Sequence, residues 1–461
     1  MTSRFDWRTL VVVAVVAVGV VVGMIVYSDS QEPGSPPKGD KTSEAPGMSR
    51  LVFAVWGSDA EVAAYQHIVD AYNAESAVVN VDVESWPDAD AMLDDVRSGK
   101  VTPDLYLLPR DELAETMEAE HNRPLIDLLD ARGVQFGDDF SRDSVAAFSA
   151  NDNLQCMPYT TSPMVMYYNT ELIDFDTMEQ RELPVPPEER DRWTLEQFRA
   201  AAEFASRPRT GAKGVHIEPT LEGLAPFVLS GGGRLFDDEV DPSSLALSDD
   251  GSADAMRDTL EVLRDARITL SNAQLERKSA FEWFQQGKLG MIAGFRDLTP
   301  ALRETPGLRF DVMPMPVLDS AATVGRLTGV CVAEGEQDRV EQAADFLVYL
   351  VSDEAVAEVT ETGYLMPTNL EVAFSPAFLQ PGQEPEHAPV FNVAVQSIVL
   401  PPHIDHWRDL ELVVHHDLRE LLSEPVLPDL DAMLAEIDER SETVLDPPEE
   451  PGSPDPSEQE P

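Results

Sequence analysis

The chain has 461 residues, and 85 acidic against 33 basic side chains give it a formal net charge of −52 at pH 7. A charge of this sign argues against nucleic-acid backbones and anionic lipid headgroups as partners, because both would be repelled. Hydrophobic residues make up 43% of the chain, enough for a core in two or three domains or in one large bilobal unit.

An apolar segment near the N-terminus predicts a membrane anchor. Residues 10–27 (LVVVAVVAVGVVVGMIVY) carry no charge, and their number is at the lower end of what crosses a bilayer. Two arginines precede the segment and acidic residues follow it. Residues 1–9 are therefore expected in the cytoplasm and the rest outside the cell membrane, as a single-pass protein. A cleaved signal peptide is the alternative, but Val26-Tyr27-Ser28 is a poor cleavage site.

Two stretches without apolar periodicity flank the globular part. Residues 28–47 are rich in Pro, Gly and Ser and predict a disordered tether. Residues 446–461 are acidic and proline-rich and predict a disordered tail. The globular region is accordingly expected at residues 48–445.

That region opens with strands and helices in alternation. Residues 50–56 (RLVFAVW), 78–86 (VVNVDVESW) and 103–109 (PDLYLLP) predict strands, separated by single helices. This order predicts a parallel sheet, and such sheets hold ligands beyond the C-terminal ends of their strands. The ligand-binding candidates at these ends are Trp56, Gly57, Ser58, Asp59, Arg110 and Asp111.

A more helical middle part follows. An apolar helix near residues 224–230 is followed by three glycines, which predict its end. Residues 281–297 (FEWFQQGKLGMIAGFRD) then predict a helix and a short buried strand that stops at Gly294. This strand is expected to bring Phe295 and Arg296 to an edge of a sheet where ligands are held.

Seven short motifs in a fixed order carry a family resemblance. They are Trp56-Gly57, SGKVTPDLYLL (98–108), MPYTTSPMVMYYNTELI (157–173), RWTLEQF (192–198), SGGG (230–233), FQQGKLGMIAG (284–294) and AADFLVYLVSDEAVAEVTETGYLMPTN (343–369). Each is weak alone, but their order gives them structural context. The chain resembles extracellular solute-binding proteins, specifically the sugar-binding class that includes the maltose-binding protein.

The resemblance implies an α/β fold of the periplasmic binding protein type. Two α/β lobes are joined by crossing hinge strands, and the cleft between them closes on a ligand. The implied crossings are residues 157–163 and 313–323. The implied lobes are residues 51–160 with 321–374, and residues 162–316 with 385–442.

The resemblance also implies a function without catalysis. Such proteins present a small-molecule solute, here expected to be a sugar, to the permease subunits of an ABC-type importer, and no cofactor is expected. A membrane-anchored sensor or scaffold that keeps the binding fold is the alternative. An extracellular enzyme fits poorly, because the sequence has no metal-spaced cluster, phosphate-cradling loop or nucleophile elbow.

A sugar site needs flat aromatic rings for stacking, and amides, carboxylates or guanidinium groups for paired hydrogen bonds. Trp56 and Trp407 are the expected stacking residues; the alternative for Trp56 is an aromatic lid that packs on the first helix. Tyr159 and Thr160 lie at the first implied crossing. Gly231 and Gly232 offer close backbone approach to a ligand, or only end a helix.

The most specific of these expectations is a ligand contact by Arg296. Related sugar binders often place an aromatic ring just after the corresponding glycine, where this chain has Phe295 and Arg296. A guanidinium there predicts a ligand with an acidic or strongly hydroxylated group, because it forms bidentate pairs. The alternative is a surface ion pair with Asp297 or a glutamate. No metal is expected, since His403, His406, His415 and His416 lack partners at ligand spacing.

The two cysteines leave one question open. Cys156 and Cys331 both lie in strand-like runs, and outside the cytoplasm they can form a disulfide bond. Two buried free thiols are the equally weighted alternative. Asp104, after Pro103, is expected to turn the chain.

Overall fold

The computed structural model describes residues 48–447, except 135, 136, 138, 403, 405, 406 and 425. The predicted anchor, the tether and residues 448–461 of the predicted tail lie outside the described residues. Within the described part of the chain, no helix is both long enough and apolar enough to cross a membrane.

The strands are short and are spread along the whole described chain. They are β1 (Ser49–Trp56), β2 (Val79–Trp86), β3 (Leu105–Pro109), β4 (Ser149–Ala150), β5 (Asn153–Leu154), β6 (Met157–Pro163), β7 (Val165–Asn169), β8 (Lys213–His216), β9 (Leu289–Gly294), β10 (Phe310–Met313) and β11 (Gly325–Val332).

Helices connect and cover these strands. They are α1 (Asp59–Glu75), α2 (Ala89–Arg97), α3 (Leu113–Glu118), α4 (Ile126–Asp130), α5 (Arg142–Ala147), α6 (Phe175–Gln180), α7 (Leu195–Ala205), α8 (Leu221–Ser230), α9 (Asp250–Leu263), α10 (Asn272–Leu275), α11 (Ala280–Gln285), α12 (Leu298–Arg303), α13 (Gln337–Leu350), α14 (Asp353–Thr360), α15 (Leu370–Ala373), α16 (Pro376–Leu379), α17 (Pro389–Val395), α18 (Trp407–Ser423) and α19 (Leu430–Leu445). A 3-10 turn spans Arg110–Glu112.

Five strands form the sheet of lobe 1, in the order β2-β1-β3-β11-β6. β1 pairs in parallel with β2 and β3, as the alternation of strands and helices predicts. β11, a late segment of the chain, lies between β3 and β6 and runs antiparallel to both. The C-terminal ends of β1 and β3 therefore meet at one edge, which places Trp56 and Arg110 near each other.

Four strands form the sheet of lobe 2, in the order β10-β7-β9-β8. β9 covers residues 289–294, as the apolar run there predicts. One face of the sheet packs on a core that includes the C-terminal helices through Leu410, Val414, Leu434 and Ile437. The two sheets and their helices give the two-lobed α/β fold of periplasmic binding proteins.

Two chain segments pass between the lobes side by side, and a third lies against them. The first joins β6 to β7, where the Met164 N–H donates to the Val324 carbonyl at 2.9 Å. The second runs from β10 to β11. In the third, the Val399 N–H donates to the Thr323 carbonyl at 2.8 Å, before the chain reaches α18. Backbone hydrogen bonds thus tie all three segments into one hinge.

A disulfide bond joins Cys156 and Cys331. Both cysteines are fully buried, one just before β6 and the other on β11. The bond therefore links the two parts of lobe 1 that the chain makes before and after it builds the sheet of lobe 2. Asp104 is structural, as expected: its carboxylate accepts from the Val52 N–H at 2.8 Å and pairs with Arg339.

Candidate functional site

A cavity of about 560 Å³ lies between the lobes. Its walls come from the strand ends of lobe 1, the first turns of α8 in lobe 2 and the third hinge segment. The lining residues used below are Trp56, Asp90, Arg110, Asp111, Glu222, Arg326, Pro401 and Trp407. This volume lies in the range that small-molecule sites usually occupy.

Two tryptophans from opposite ends of the chain face this cavity, as the sequence predicts. Trp56 ends β1, and its buried indole N–H has no hydrogen-bond acceptor among the described residues. Trp407 begins α18, is partly exposed and packs 6.2 Å from the ring of Phe236. The arrangement offers two flat rings and one indole donor to a ligand.

Arg110 and Asp111 also reach the cavity wall, directly after β3. The Arg110 guanidinium donates to the Pro401 carbonyl at 2.7 Å, which holds the third hinge segment against lobe 1. Burial raises the pKa of the Asp111 carboxyl group, although Arg110 and backbone hydrogen bonding lower it. Two of the predicted polar residues thus stand where a ligand could reach them.

Arg326 and Glu222, which were not predicted as site residues, lie at the centre of the cleft. Arg326 comes from β11 of lobe 1, and Glu222 from the first turn of α8 in lobe 2. The guanidinium donates two hydrogen bonds to the carboxylate, at 2.9 and 2.6 Å. A charged residue at the start of an apolar strand, just after the second implied crossing, was the available signal for Arg326.

The carboxylate of Asp297 lies close to this pair, and that of Glu61 lies near Asp297. Burial raises the pKa of Asp297, and Arg326 lowers it. Burial also raises the pKa of Glu61, while its hydrogen bonds from Ser58 lower it and the charge of Asp297 raises it further. The cleft is therefore rich in carboxylates, with arginines set between them.

Arg296 does not enter the cleft. Its side chain is 0% exposed, and its guanidinium donates to the carbonyls of Gly363 at 3.1 Å and Phe378 at 3.3 Å. It also stacks on the rings of Phe378 and Phe391, at 4.8 and 5.3 Å. This placement contradicts the prediction that Arg296 binds the ligand, because α16 and α17 cover the strand end and draw the side chain into the core. Burial lowers its pKa to about 10.

Phe295 and the residues of the first crossing take other positions. The Phe295 ring is nearly buried, and the Arg326 guanidinium lies 4.1 Å from its centre. Tyr159 is buried in the core of lobe 1, beside Tyr65, which contradicts its predicted ligand contact. Thr160 pairs with Thr328 in the lobe 1 sheet and does not line the cavity.

Gly57, Ser58 and Asp59 serve the start of α1. Gly57 has a φ of +143°, and a Cβ there would lie 2.8 Å from a carboxylate oxygen of Glu61. The Ser58 hydroxyl caps the helix by accepting from the Glu61 N–H at 3.3 Å, while Glu61 accepts from the Ser58 N–H at 2.8 Å. None of the three predicted residues lines the 560 Å³ cavity.

Gly231 and Gly232 end α8, which is the structural alternative that the glycine run left open. Gly231 is the C-cap, and a Cβ there would collide with Ala255 of α9. Gly232 has a φ of +80°. Neither glycine lines the cavity, so close helix packing and the turn account for both.

A larger cavity, of about 790 Å³, lies outside the cleft. Residues of lobe 2 alone line it, among them His216, Ser279, His415 and Arg419. No tryptophan is part of its described lining, and closure of the lobes would not enclose it. Of the four histidines grouped in the sequence, His403 and His406 lie outside the described residues. His416 lies near Asp417 and Glu420, but Arg440 already pairs with Asp417.

The family is decided by a match over most of the chain. The family model described as bacterial extracellular solute-binding protein matches residues 67–385. The chain belongs to this family. A comparison with curated protein sequences gives no match.

Solved structures of similar fold agree with this membership. The ABC substrate-binding protein Lmo0181 from Listeria monocytogenes, in complex with cycloalternan, has a TM-score of 0.71 and 17% identity, over 87% of this chain and 98% of that one. The GacH receptor of Streptomyces glaucescens has a TM-score of 0.67 and 20% identity, over 87% of this chain and 99% of that one. The sugar-binding protein MalE from Xanthomonas citri has a TM-score of 0.71 and 16% identity, over 86% of this chain and 98% of that one. At these identities the likeness shows a shared fold.

Membership of this family identifies the cleft between the lobes as the candidate solute-binding site. An extracellular solute-binding protein carries its binding domain outside the cytoplasm and binds a solute between its lobes. Of the predicted site residues, Trp56, Arg110, Asp111 and Trp407 line that cleft together. Phe295 lies beside it, in a smaller adjoining cavity of about 190 Å³.

Proposed function

We propose that this protein is an extracytoplasmic receptor for a carbohydrate, and that it closes its lobes on the solute and delivers it to an ABC-type importer without catalysing a reaction. The observation that carries the proposal is the pair of tryptophans, Trp56 and Trp407, that face one cavity between the lobes. The apolar faces of a sugar ring stack on such side chains.

The polar lining supports the same solute class. Arg110, Arg326, Asp111 and Glu222 offer charged donors and acceptors on both sides of the cavity. Sugar hydroxyl groups donate and accept at once, so they can pair with guanidinium and carboxylate groups alike, and hydrogen bonds to charged groups are the stronger ones. The indole N–H of Trp56 adds a donor that meets no acceptor among the described residues.

Relatives of similar fold support a carbohydrate too. The Listeria protein is in complex with cycloalternan, and the Streptomyces receptor with acarbose and an acarbose homologue. The Listeria protein is named an ABC substrate-binding protein, and the Streptomyces protein is named a receptor. An importer of the ABC type is accordingly the partner we propose for this chain.

We also propose that residues 10–27 keep the receptor on the outer side of the cell membrane. The support is the charge-free length of this segment and its poor cleavage site. Mass spectrometry of the mature protein tests this: an N-terminus near residue 29 in the membrane-free fraction would refute it.

The carbohydrate proposal is tested by binding to the full-length protein in detergent. A panel of neutral mono- and oligosaccharides is screened by thermal shift, and hits are measured by calorimetry. A sugar at a hundred times its Kd stabilises the folded state by about 2.7 kcal/mol. Stabilisation by amino acids or peptides, with none by any sugar, would overturn the proposal.

Variants locate the binding in the cleft. Trp56→Ala and Trp407→Ala should each weaken sugar affinity by roughly tenfold or more, since a stacked ring is lost along with its buried area. Trp283→Phe is the matched control, because Trp283 lies on α11 and donates to the Gln274 carbonyl, outside the cleft lining. Equal losses in all three variants would place the effect in stability rather than in the site.

A further inference from the structure

We propose that Arg326 and Glu222 form a gate across the cleft, which holds the ligand-free lobes together and must open before a long solute can bind. The pair joins the lobes directly. Arg326 is paired with Ser162 in the lobe 1 sheet, whereas Glu222 lies on α8 of lobe 2. Two hydrogen bonds, at 2.9 and 2.6 Å, match the planar fork of the guanidinium to the carboxylate.

Lobe 2 holds the arginine on two sides. Besides its bonds to Glu222, the guanidinium stacks on the ring of Phe295, which follows β9. Glu222 is positioned in turn, because its N–H donates to the carboxylate of Glu411 on α18 at 3.3 Å. Arg326 therefore inserts from one lobe into a prepared position on the other.

The pair stands where three cavities meet. The cavity of about 560 Å³ contains Trp56, a second of about 540 Å³ runs along α18, and a third of about 190 Å³ reaches Phe295. Among the described residues, only Glu222 and Arg326 line all three. Trp407 is shared by the first two cavities. The ion pair thus divides one continuous space into chambers.

The carboxylates around the pair make the contact between the lobes depend on the Arg326 charge. Asp111 from lobe 1 and Asp297 from lobe 2 both act on the Arg326 charge, so one guanidinium neutralises carboxylates from both lobes. Without it, acidic groups would face each other across the cleft of a chain with a net charge of −52. The side chains are 58% and 30% exposed, which leaves the pair open to screening by salt.

This inference rests on the proposed function: for a sugar receptor, the gate makes the affinity depend on the length of the solute. A short sugar can occupy the 560 Å³ chamber while Arg326 and Glu222 stay paired. A longer chain that continues along α18 has to separate them, and its hydroxyl groups must replace the lost bonds on both sides. Arg326 and Glu222 are specificity-determining residues in this sense.

The gate is tested first without any ligand, by the distance between spin labels on the two lobes. Both native cysteines are in the disulfide, so labels attach only to Asp94→Cys on α2 and Asp258→Cys on α9, two exposed positions. Glu222→Gln and Arg326→Gln should each shift the distance distribution by more than about 2 Å, the scale of a domain rearrangement. In the Arg326→Gln background, Glu222→Gln should not add a further shift of the same direction, because the bond it breaks is already absent.

Salt and a matched control complete this arm. Raising NaCl from about 0.1 to 1 M, which cuts the Debye length from about 10 to 3 Å, should shift the wild type more than Glu222→Gln, in which the exposed Arg408–Asp90 pair between the lobes still responds to salt. Glu203→Gln removes an equal charge from the Arg199–Glu203 pair within α7 and should change nothing. An unshifted Glu222→Gln, or a salt shift as large in this variant as in the wild type, would overturn the gate.

The second arm compares the affinities of maltose and maltohexaose by calorimetry. In Glu222→Gln the affinity for maltohexaose relative to maltose should rise by at least about threefold, the equivalent of one partly exposed ion pair. An equal change for both sugars would make the pair an ordinary ligand contact and contradict length selection. If neither these two sugars nor any other sugar of the panel binds wild type or variant, the carbohydrate function fails, while the spin-label distances still decide the gate.

Discussion

The disulfide bond between Cys156 and Cys331 is expected to be the largest single stabilising element of the fold. Both side chains are fully buried, and they lie 175 residues apart in the chain. Between them the chain builds the whole sheet of lobe 2 before it returns to lobe 1 as β11. Removing the bond, either by reduction or in the double variant Cys156→Ala, Cys331→Ala, therefore frees a long loop in the unfolded state.

The size of the effect depends on how the lobes unfold. If both unfold together, a loop of this length corresponds to about 5 kcal/mol by the loop-entropy relation. If lobe 2 stays folded while lobe 1 unfolds, its ends remain joined where the Met164 N–H meets the Val324 carbonyl. The free loop then contains only residues 156–164 and 324–331, and for about 17 residues the relation gives about 3 kcal/mol.

Urea unfolding followed by circular dichroism measures the loss. Wild type is reduced in denaturant, refolded and compared with the oxidised protein, which isolates the bond from side-chain truncation. The double alanine variant then adds the lost packing of two buried sulfur atoms. A loss near 3 kcal/mol would show separate unfolding of the lobes, and a loss near 5 kcal/mol joint unfolding. A loss below about 1 kcal/mol would refute the loop-entropy reasoning for this chain.

Three further outcomes follow from buried charge. Arg296→Met should lower the free energy of unfolding by about 2–4 kcal/mol, through lost hydrogen bonds to a charged group, and leave solute affinity unchanged; weaker binding at an unchanged melting temperature would restore its role in the site. Asp438→Ala removes the acceptor of two backbone amides and should cost about 1–3 kcal/mol in urea unfolding, whereas an unchanged midpoint would show that the C-terminal helix is dispensable. Burial raises the pKa values of Glu61, Asp111 and Asp297 above their ordinary values of 4.5, 3.8 and 3.8, so the folded state binds more protons and stability falls as pH rises through the raised values. The contribution of these groups to the melting temperature should therefore fall as pH rises from about 4 through the raised pKa values, and it should be absent in the triple variant Glu61→Gln, Asp111→Asn, Asp297→Asn; calorimetry showing a rise from these groups over that range would contradict this sign.

The elements of this fold, and part of its site, follow from local sequence. Period-2 and period-3.6 patterns, capping residues and glycine stops depend on neighbours in the chain, so β1, α1, β3 and β9 are where the pattern predicts them. Trp56 and Arg110 could be selected for the same reason, because a residue that ends a parallel strand lies at the ligand edge of its sheet whatever else the chain does.

The tertiary structure alone decided the rest. Arg296 also ends a strand, but α16 and α17, some eighty residues later, cover that end and supply carbonyls and aromatic rings to its guanidinium. Arg326 and Glu222 are 104 residues apart and lie on different lobes, so no periodicity relates them. A side chain at an element's end goes where distant packing leaves room and partners, and only the assembled lobes specify both.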